Sequence, residues 1–190
     1  MVVMPTKDQL LDCAEHFART RGFDAFSYAD LSKEIGIQKA SIHYHFATKA
    51  DLATALIERY AARFADDLTR ISDRRGTAAE DLKAYLGLYK EALSQGSRIC
   101  LCVSFSAARD SFDDKTLAHL NRFHQDSLAW LARVFDKAGA DASIPGLVAD
   151  PNDEAHSVLS LVEGAQLISR AARSDAPYDH AMQPLLRRLS

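Results

Sequence analysis

Residues 38–49 gather side chains that could bind either nucleic acid or a metal ion. The segment from Ile35 to Ala50 contains no acid, and its only formal charges are Lys39 and Lys49. Lysine, serine and histidine side chains can donate hydrogen bonds to phosphate oxygens and base edges. His43 and His45 could instead coordinate a metal, but positions two apart project about 160° apart around a helix, and the segment offers no acid or cysteine to complete a site. The pattern favours nucleic acid over a metal, and a purely structural role of the two histidines is the remaining alternative.

Cys100 and Cys102 form a second candidate for chemistry. Because they are two residues apart on a predicted helix, they point to different faces, so a mutual disulfide is geometrically poor and only one of them is expected to line a cavity. Cys100 could sense an oxidant or electrophile, with Arg98 nearby to favour the thiolate. The alternative is that both are small apolar residues of a buried helix.

The C-terminal two thirds combine aromatic side chains with a few polar groups, a mixture typical of small-molecule pockets. A tightly packed core would give nearly the same pattern. The candidate ligand-binding residues are Tyr85, Tyr89, Cys100, Phe105, Phe123, His124, Ser127, Trp130 and Gln166. A rival hypothesis is a small all-α enzyme with His124 and Glu163 as an acid–base pair and Cys100 as nucleophile, and a protein-interaction module is another. No spacing in the chain demands a catalytic site.

The elements that must position these residues are helices, because apolar residues recur at three- and four-residue spacing and no segment alternates as a strand should. Leu10, Leu11, Ala14, Phe17 and Ala18 show the pattern. The predicted fold class is all-α, with nine helices at about 6–21, 28–35, 39–45, 48–75, 77–95, 98–110, 113–138, 153–173 and 178–189. An irregular loop with two prolines is predicted at about 138–153.

The second and third helices form a predicted helix-turn-helix, with Gly36 in the turn. Ile42 and Phe46 share one face of the third helix and point inward. Lys39, Ser41, His43 and Tyr44 are then left to project outward or to the flank. Gln38 and Lys39 stand at the start of this helix, where recognition helices make base contacts.

Composition limits the classes of function. A hydrophobic content of 47% is ample for a core, and a net charge of −3 argues against a protein that coats polyanions without excluding a local DNA-reading surface. No apolar run approaches the roughly 20 residues of a membrane span, and no signal peptide is expected at the start. Three cysteines, an odd number, suggest reduced thiols in a cytoplasm. No cofactor is expected.

The run FSYADLSKEIGIQKASIHYHFATKADL resembles the DNA-binding motif of the TetR family of transcriptional regulators. The resemblance implies an all-helical homodimer, with a DNA-binding domain at 1–50 and a ligand-binding and dimerisation domain at 51–190. It also implies that Ser27, Tyr28 and Lys49 contact phosphate. The recognition surface that it implies is Gln38, Lys39, Ala40, Ser41, His43 and Tyr44. The family often has glycine where this chain has Ala40, and usually tyrosine where it has His43, which leaves the contact of His43 open.

The last two helices carry apolar stripes that we expect to be too extensive to be buried within one subunit. We predict that they form a two-fold interface of four helices. The residues of these stripes are Val158, Leu161, Ala165, Ile168, Met182, Leu185, Leu186 and Leu189. The sequence thus predicts a homodimeric repressor of a palindromic operator in double-stranded DNA. A small-molecule effector or a thiol-reactive electrophile would release it, and we expect no enzymatic activity and no membrane partner.

Overall fold

The computed structural model describes residues 7–146 and 150–189, which form nine α-helices and no β-strand, as predicted for an all-α chain. Thr6, the first residue of the predicted helix 6–21, lies outside the described residues, as does part of the predicted loop. The helices are α1 (Lys7–Arg21), α2 (Tyr28–Ile35), α3 (Lys39–His45), α4 (Lys49–Asp73), α5 (Ala78–Leu93), α6 (Leu101–Ala107), α7 (Asp114–Asp141), α8 (Pro151–Ala172) and α9 (Ala176–Arg188).

Local capping signals place the helices around the predicted turn. The Ser27 hydroxyl accepts a hydrogen bond from the Ala29 N–H, and the Asp30 carboxylate accepts one from the Ser27 N–H, so the predicted capping box at the start of α2 is confirmed. Gly36 ends α2 with φ +76°, a left-handed conformation that glycine adopts without a Cβ penalty. Thr48 caps α4, as its hydroxyl accepts from the Asp51 N–H.

Two helix boundaries differ from the prediction because contacts distant in sequence decide them. The predicted helix 98–110 is only Leu101–Ala107, followed by a 3₁₀ turn at Arg109–Ser111. The N–H of Cys100, just before α6, donates to the side chain of Gln166. α7 runs beyond residue 138 to Asp141, whose carboxylate accepts the Ala78 N–H at 2.8 Å.

The described residues divide into two compact units. The first unit holds residues 7–62 with Leu101–Asn121, and the second holds Arg63–Cys100 with 122–146 and 150–189. The first unit is therefore larger than the predicted domain 1–50, because it includes part of α4, all of α6 and the start of α7. Helices α4 and α7 contribute residues to both units.

An aromatic core fills the first unit. The Phe23 ring lies 5.5 Å from Phe26, 5.3 Å from Phe105 and 5.1 Å from Phe112, between ring centroids. α7 is tied to α4 within this unit by the buried pair of hydroxyls on Thr54 and Thr116, 2.9 Å apart. These contacts give α2 and α3 a rigid support.

The second unit is organised by buried polar side chains as well as apolar ones. Gln166 accepts from the Cys100 N–H and donates to the Tyr89 carbonyl, both at 2.7 Å. The Tyr178 hydroxyl donates to the Leu86 carbonyl at 2.8 Å. These bonds link α5, the backbone of Cys100, α8 and α9 around one core.

Candidate functional site

The outer face of α3 is the first candidate site. Ile42 and Phe46 are buried, as predicted, and hold the helix onto the first unit. Tyr44 is 79% exposed, so its ring and hydroxyl are open to solvent on this face. The other predicted members of the face are Gln38, Lys39, Ala40 and His43, which are exposed, and Ser41, which is half-buried.

Tyr28 and Ser27 support this face from the start of α2, and their hydroxyl donors are already used. The Tyr28 hydroxyl lies 2.5 Å from the Thr48 carbonyl oxygen and 3.1 Å from that of Phe46. Burial, with the nearby Asp51 charge, raises the pKa of Tyr28 to about 12. The Ser27 hydroxyl donates to the Asp30 carboxylate at 2.7 Å. Contacts of Ser27 and Tyr28 with phosphate stay predictions, and they require these internal bonds to be exchanged.

Lys49 is directed inward by an aromatic pair. Its ammonium group lies 4.6 Å from the centre of the Phe23 ring and 4.9 Å from that of Phe26, and it donates to the Phe23 carbonyl at 2.7 Å. Partial burial lowers the pKa of Lys49, an effect that the charges of nearby acids oppose. An ammonium has three donors, so a contact of Lys49 with DNA remains a prediction. Its first role in the structure is to join α4 to the turn before α2.

His43 is held at two points. Its Nδ1 lies 3.1 Å from the Ala47 carbonyl oxygen, and its ring packs edge-on against Tyr28 with centroids 4.9 Å apart. His45 packs against the rings of Tyr44 and Phe46 instead. The two histidines of the HYH run therefore have different environments. Among the described residues, no group of three or more His, Cys, Asp or Glu side chains is placed to hold a metal ion.

A cleft of about 370 Å³ opens beside the C-terminal end of α3. His43, Tyr44 and His45 form part of its wall. Lys7 and Lys115 line it too, and sequence reasoning missed both. Lys115 lies 70 residues after the end of α3 in the chain, so no local pattern could have connected them.

Six of the nine predicted ligand-binding residues meet in the second unit. Tyr85 stacks on Trp130 with ring centroids 5.5 Å apart, and Phe64 lies within about 6 Å of Tyr85, Tyr89 and Phe123. Phe64 was not predicted, although its spacing from Leu68 and Ile71 marks the inner face of α4. We call the following side chains the polar–aromatic cluster: Phe64, Tyr85, Tyr89, Phe123, His124, Ser127, Trp130 and Glu163.

Polar atoms of this cluster are only partly satisfied. The hydroxyl of Tyr85 donates to that of Tyr89 over a long 3.5 Å, and burial raises the pKa of both phenols well above their ordinary value. The buried hydroxyl of Ser127 makes no hydrogen bond of good geometry, although it lies close enough to the Tyr85 hydroxyl to lower the pKa of that phenol. His124 Nε2 lies 3.1 Å from Glu163, and this hydrogen bond raises the pKa of His124 against the opposing effect of burial. An unsatisfied buried polar atom is the kind of feature that a ligand or water completes.

The other three predicted ligand-binding residues have different surroundings. Phe105 belongs to the first unit, where its ring stacks on Phe112 at 4.3 Å. Both amide atoms of Gln166 are committed to main-chain partners. Cys100 is 1% exposed and Cys102 0%, and neither forms a disulfide with a described residue.

Part of the apolar stripes predicted to form the dimer interface is buried within one chain. Val158, Ala165, Met182, Leu185 and Leu189 are buried in the core that α8 and α9 share, so their burial does not require a partner. Ile168 is 62% exposed, and Leu161 and Leu186 are half-buried. Leu167, beside Ile168, is a further exposed apolar residue that was not predicted. Within the part of the chain that the structure covers, no helix is both long and apolar enough to cross a bilayer.

Comparison with known proteins agrees with this architecture. Residues 10–56 match the family model described as bacterial regulatory proteins, tetR family. The chain is 24% identical over 183 residues to the HTH-type transcriptional repressor NemR of Escherichia coli K12, covering 93% of this chain and 90% of that one. It is 28% identical over 131 residues to the negative transcriptional regulator IcaR of the biofilm operon icaADBC of Staphylococcus epidermidis, covering 68% and 69%.

A solved structure of a TetR family transcriptional regulator from Agrobacterium tumefaciens superposes with a TM-score of 0.89 at 26% identity, covering 96% of both chains. The match spans α1 to α9, whereas the family model covers only the region of the helix-turn-helix. The enzyme hypothesis is wrong, because the members of this family are DNA-binding transcription factors. The family model at residues 10–56, the fold and the near-full-length relatives together support a TetR family transcriptional regulator.

Proposed function

We propose that this chain is a homodimeric repressor that reads a palindromic operator through α3 and leaves it when a small-molecule effector binds the second unit. The observation that carries the proposal is the exposed, acid-free face of α3 around Lys39, His43 and Tyr44, braced from behind by the buried Ile42 and Phe46. The repressor function of the relatives NemR and IcaR supports the direction of regulation. Three cysteines that form no disulfide among the described residues, together with a DNA partner, support action in the cytoplasm.

DNA binding is tested with the DNA that flanks the chain's own gene, in a gel-shift or fluorescence-anisotropy titration. Lys39→Ala should weaken specific binding by about 1–3 kcal/mol and change the sequence preference, because it removes a contact of the recognition helix. Lys83→Ala, which removes an exposed lysine of α5 in the second unit, is the matched control. Unchanged affinity and specificity of Lys39→Ala would show that α3 does not read DNA.

Effector binding is proposed for the polar–aromatic cluster. α4 supplies Phe64 to this cluster. The same helix begins at Lys49, only three residues after Phe46, the buried residue that anchors α3. A ligand that moves Phe64 would therefore act on the helix that follows the recognition helix directly. Two recognition helices of a dimer must lie about 34–36 Å apart to enter successive major grooves, so an effector that favours another separation lowers the population that binds DNA. Phe64→Ala should leave operator binding intact but blunt release by any effector found in a ligand screen.

The alternative trigger is a thiol-reactive electrophile. Burial of Cys100 and Cys102 argues against rapid attack, since a reagent reaches them only when the unit opens. Cys100→Ala distinguishes the two triggers: release by quinones or aldehydes that persists in this variant excludes Cys100 as the sensor, and release that disappears replaces the effector mechanism with thiol chemistry.

Dimerisation is proposed through the surface left exposed on α8, with Leu167 and Ile168 at its centre. Two apolar side chains 44% and 62% exposed on neighbouring positions would be covered by a second copy. Ile168→Glu should convert the dimer to a monomer in sedimentation equilibrium at micromolar concentration. The control Ala129→Glu places the same charge on an exposed position of α7 and should leave the dimer intact.

A further inference from the structure

His43 has a fixed ring and one nitrogen without a partner. Nδ1 faces the Ala47 carbonyl oxygen at 3.1 Å, and the edge contact with Tyr28 holds the ring plane. Tyr28 is itself anchored, because its hydroxyl lies 2.5 Å from the Thr48 carbonyl oxygen. The other nitrogen, Nε2, makes no hydrogen bond to any described residue, and the side chain is exposed on α3.

The partner of Nδ1 determines which nitrogen carries the proton. A carbonyl oxygen can only accept a hydrogen bond, so the nitrogen that faces it must be the donor. In the neutral ring, one nitrogen is a donor and the other an acceptor. The neutral His43 ring therefore presents a lone pair, and no proton, at Nε2.

A lone pair at Nε2 selects its partner in a DNA major groove. Phosphate oxygens are acceptors and offer nothing to it. The exocyclic amino groups, N4 of cytosine and N6 of adenine, are the donors exposed on the major-groove edge. We propose that His43 is a specificity-determining residue that accepts a hydrogen bond from a cytosine or adenine amino group. This inference rests on the proposed DNA-binding function and adds to it the chemical identity of one base contact.

Protonation of the ring distinguishes this contact from a phosphate contact, because the two change DNA affinity in opposite directions. A protonated His43 would present a donor at Nε2 in place of an acceptor. A base-amino contact is lost in acid, whereas a phosphate contact appears there. Two acids and two lysines lie around His43, so neither positive nor negative charge dominates there. The titratable or charged neighbours are Tyr28 on α2, His45 on α3, Asp51 and Glu58 on α4, Lys7 on α1 and Lys115 on α7.

The test uses a DNA duplex that the wild-type chain enriches from a random-sequence pool. His43→Phe keeps the ring and its edge contact with Tyr28 but removes both nitrogens. His156→Phe is the control, because His156 is also exposed and its Nδ1 lies 2.8 Å from the Asn152 carbonyl oxygen, but on α8 in the second unit. Affinities are measured by fluorescence anisotropy at about pH 8 and pH 5.5, with every base pair of the half-site substituted in turn.

The expected result has two parts. His43→Phe should lose about tenfold discrimination at one base pair of each half-site, where the wild type requires a cytosine or adenine amino group. Wild-type affinity for the selected duplex should fall toward pH 5.5 by several fold more than that of His43→Phe, and His156→Phe should follow the wild type.

Three results would overturn the inference. One is a uniform loss of affinity for all duplexes with a shallower salt dependence, which identifies a phosphate contact. Another is a His43-dependent gain of affinity in acid, and the third is identical behaviour of His43→Phe and wild type. If the wild-type chain enriches no duplex at all, the proposed DNA-binding function fails together with this contact. The other results leave that function standing.

Discussion

Replacing Gln166 by leucine should destabilise the second unit by about 2–4 kcal/mol. The Cys100 N–H stands just before α6 and has no acceptor within that helix, so the loss of the Gln166 Oε1 acceptor at a buried donor costs about 1–3 kcal/mol. Loss of the bond to the Tyr89 carbonyl adds about 1 kcal/mol. Leucine has a similar volume, so little cavity energy is added. This is a large share of the roughly 5–15 kcal/mol that holds a domain folded.

Urea denaturation at one fixed protein concentration measures the effect, because the stability of a dimer depends on concentration. Trp130 fluorescence and far-ultraviolet circular dichroism report on the transition. Gln125→Leu, which changes an exposed glutamine of α7 in the same way, should stay within about 0.5 kcal/mol of wild type. If Gln166→Leu unfolds with the same free energy as Gln125→Leu, the bridge contributes nothing to stability and Gln166 is available for a ligand, as the sequence predicted.

Three further predictions use the same denaturation assay. Gly36→Ala meets no atom within 4 Å and should cost about 1 kcal/mol from its positive φ alone. Gly96→Ala also drives a Cβ into the backbone nitrogen of Ser174, between α8 and α9, and should cost clearly more; equal losses would refute that close approach. Lys49→Met should cost about 1 kcal/mol through the lost cation–π contacts and carbonyl hydrogen bond, and unchanged stability would mean that the ammonium is not held there. The folded-state pKa of His124 is raised, so its contribution is present below about pH 6.5 and fades as the pH rises through the folded value. His124→Phe should therefore be further from wild type at about pH 5.5 than at pH 8.5, and a difference that grows with pH would contradict the Glu163 pairing.

The helix-turn-helix formed by α2 and α3 could be predicted from sequence because its capping and turn signals are local. Ser27 and Asp30 cap α2 within four residues, Gly36 closes it, and Ile42 and Phe46 lie on one face of a seven-residue helix. Each signal works through the backbone of its own turn, so neither the partner helices nor the ligand had to be known. The orientation of His43 was not predictable, since it depends on a carbonyl after α3 and on the ring of Tyr28.

Residues distant in sequence explain the rest of the differences. Gln166 and Phe105 are residue types that binding pockets often contain. In the structure, Gln166 bridges main-chain groups and Phe105 packs in the core of the first unit. Composition cannot tell these roles apart, because a buried amide and a ligand-binding amide use the same atoms. The apolar stripes of α8 and α9 likewise predict an interface, because composition does not distinguish a subunit interface from a core. Met182 and Leu185 are in fact buried within the chain.

The polar groups of the second unit that already have partners limit which groups could bind an effector. The amide of Gln166 and the hydroxyl of Tyr178 are already satisfied by main-chain groups. The Tyr85–Tyr89 pair shares one of its two phenolic protons, which leaves the second proton for another acceptor. The hydroxyl of Ser127 lies beside that of Tyr85 without a hydrogen bond of good geometry, so it is a second hydroxyl donor of the cluster that a ligand could use. An effector that fits this cluster should therefore bring at least one hydrogen-bond acceptor on a flat, largely apolar frame, because a ligand without an acceptor would leave both donors buried and unpaired at about 1–3 kcal/mol each.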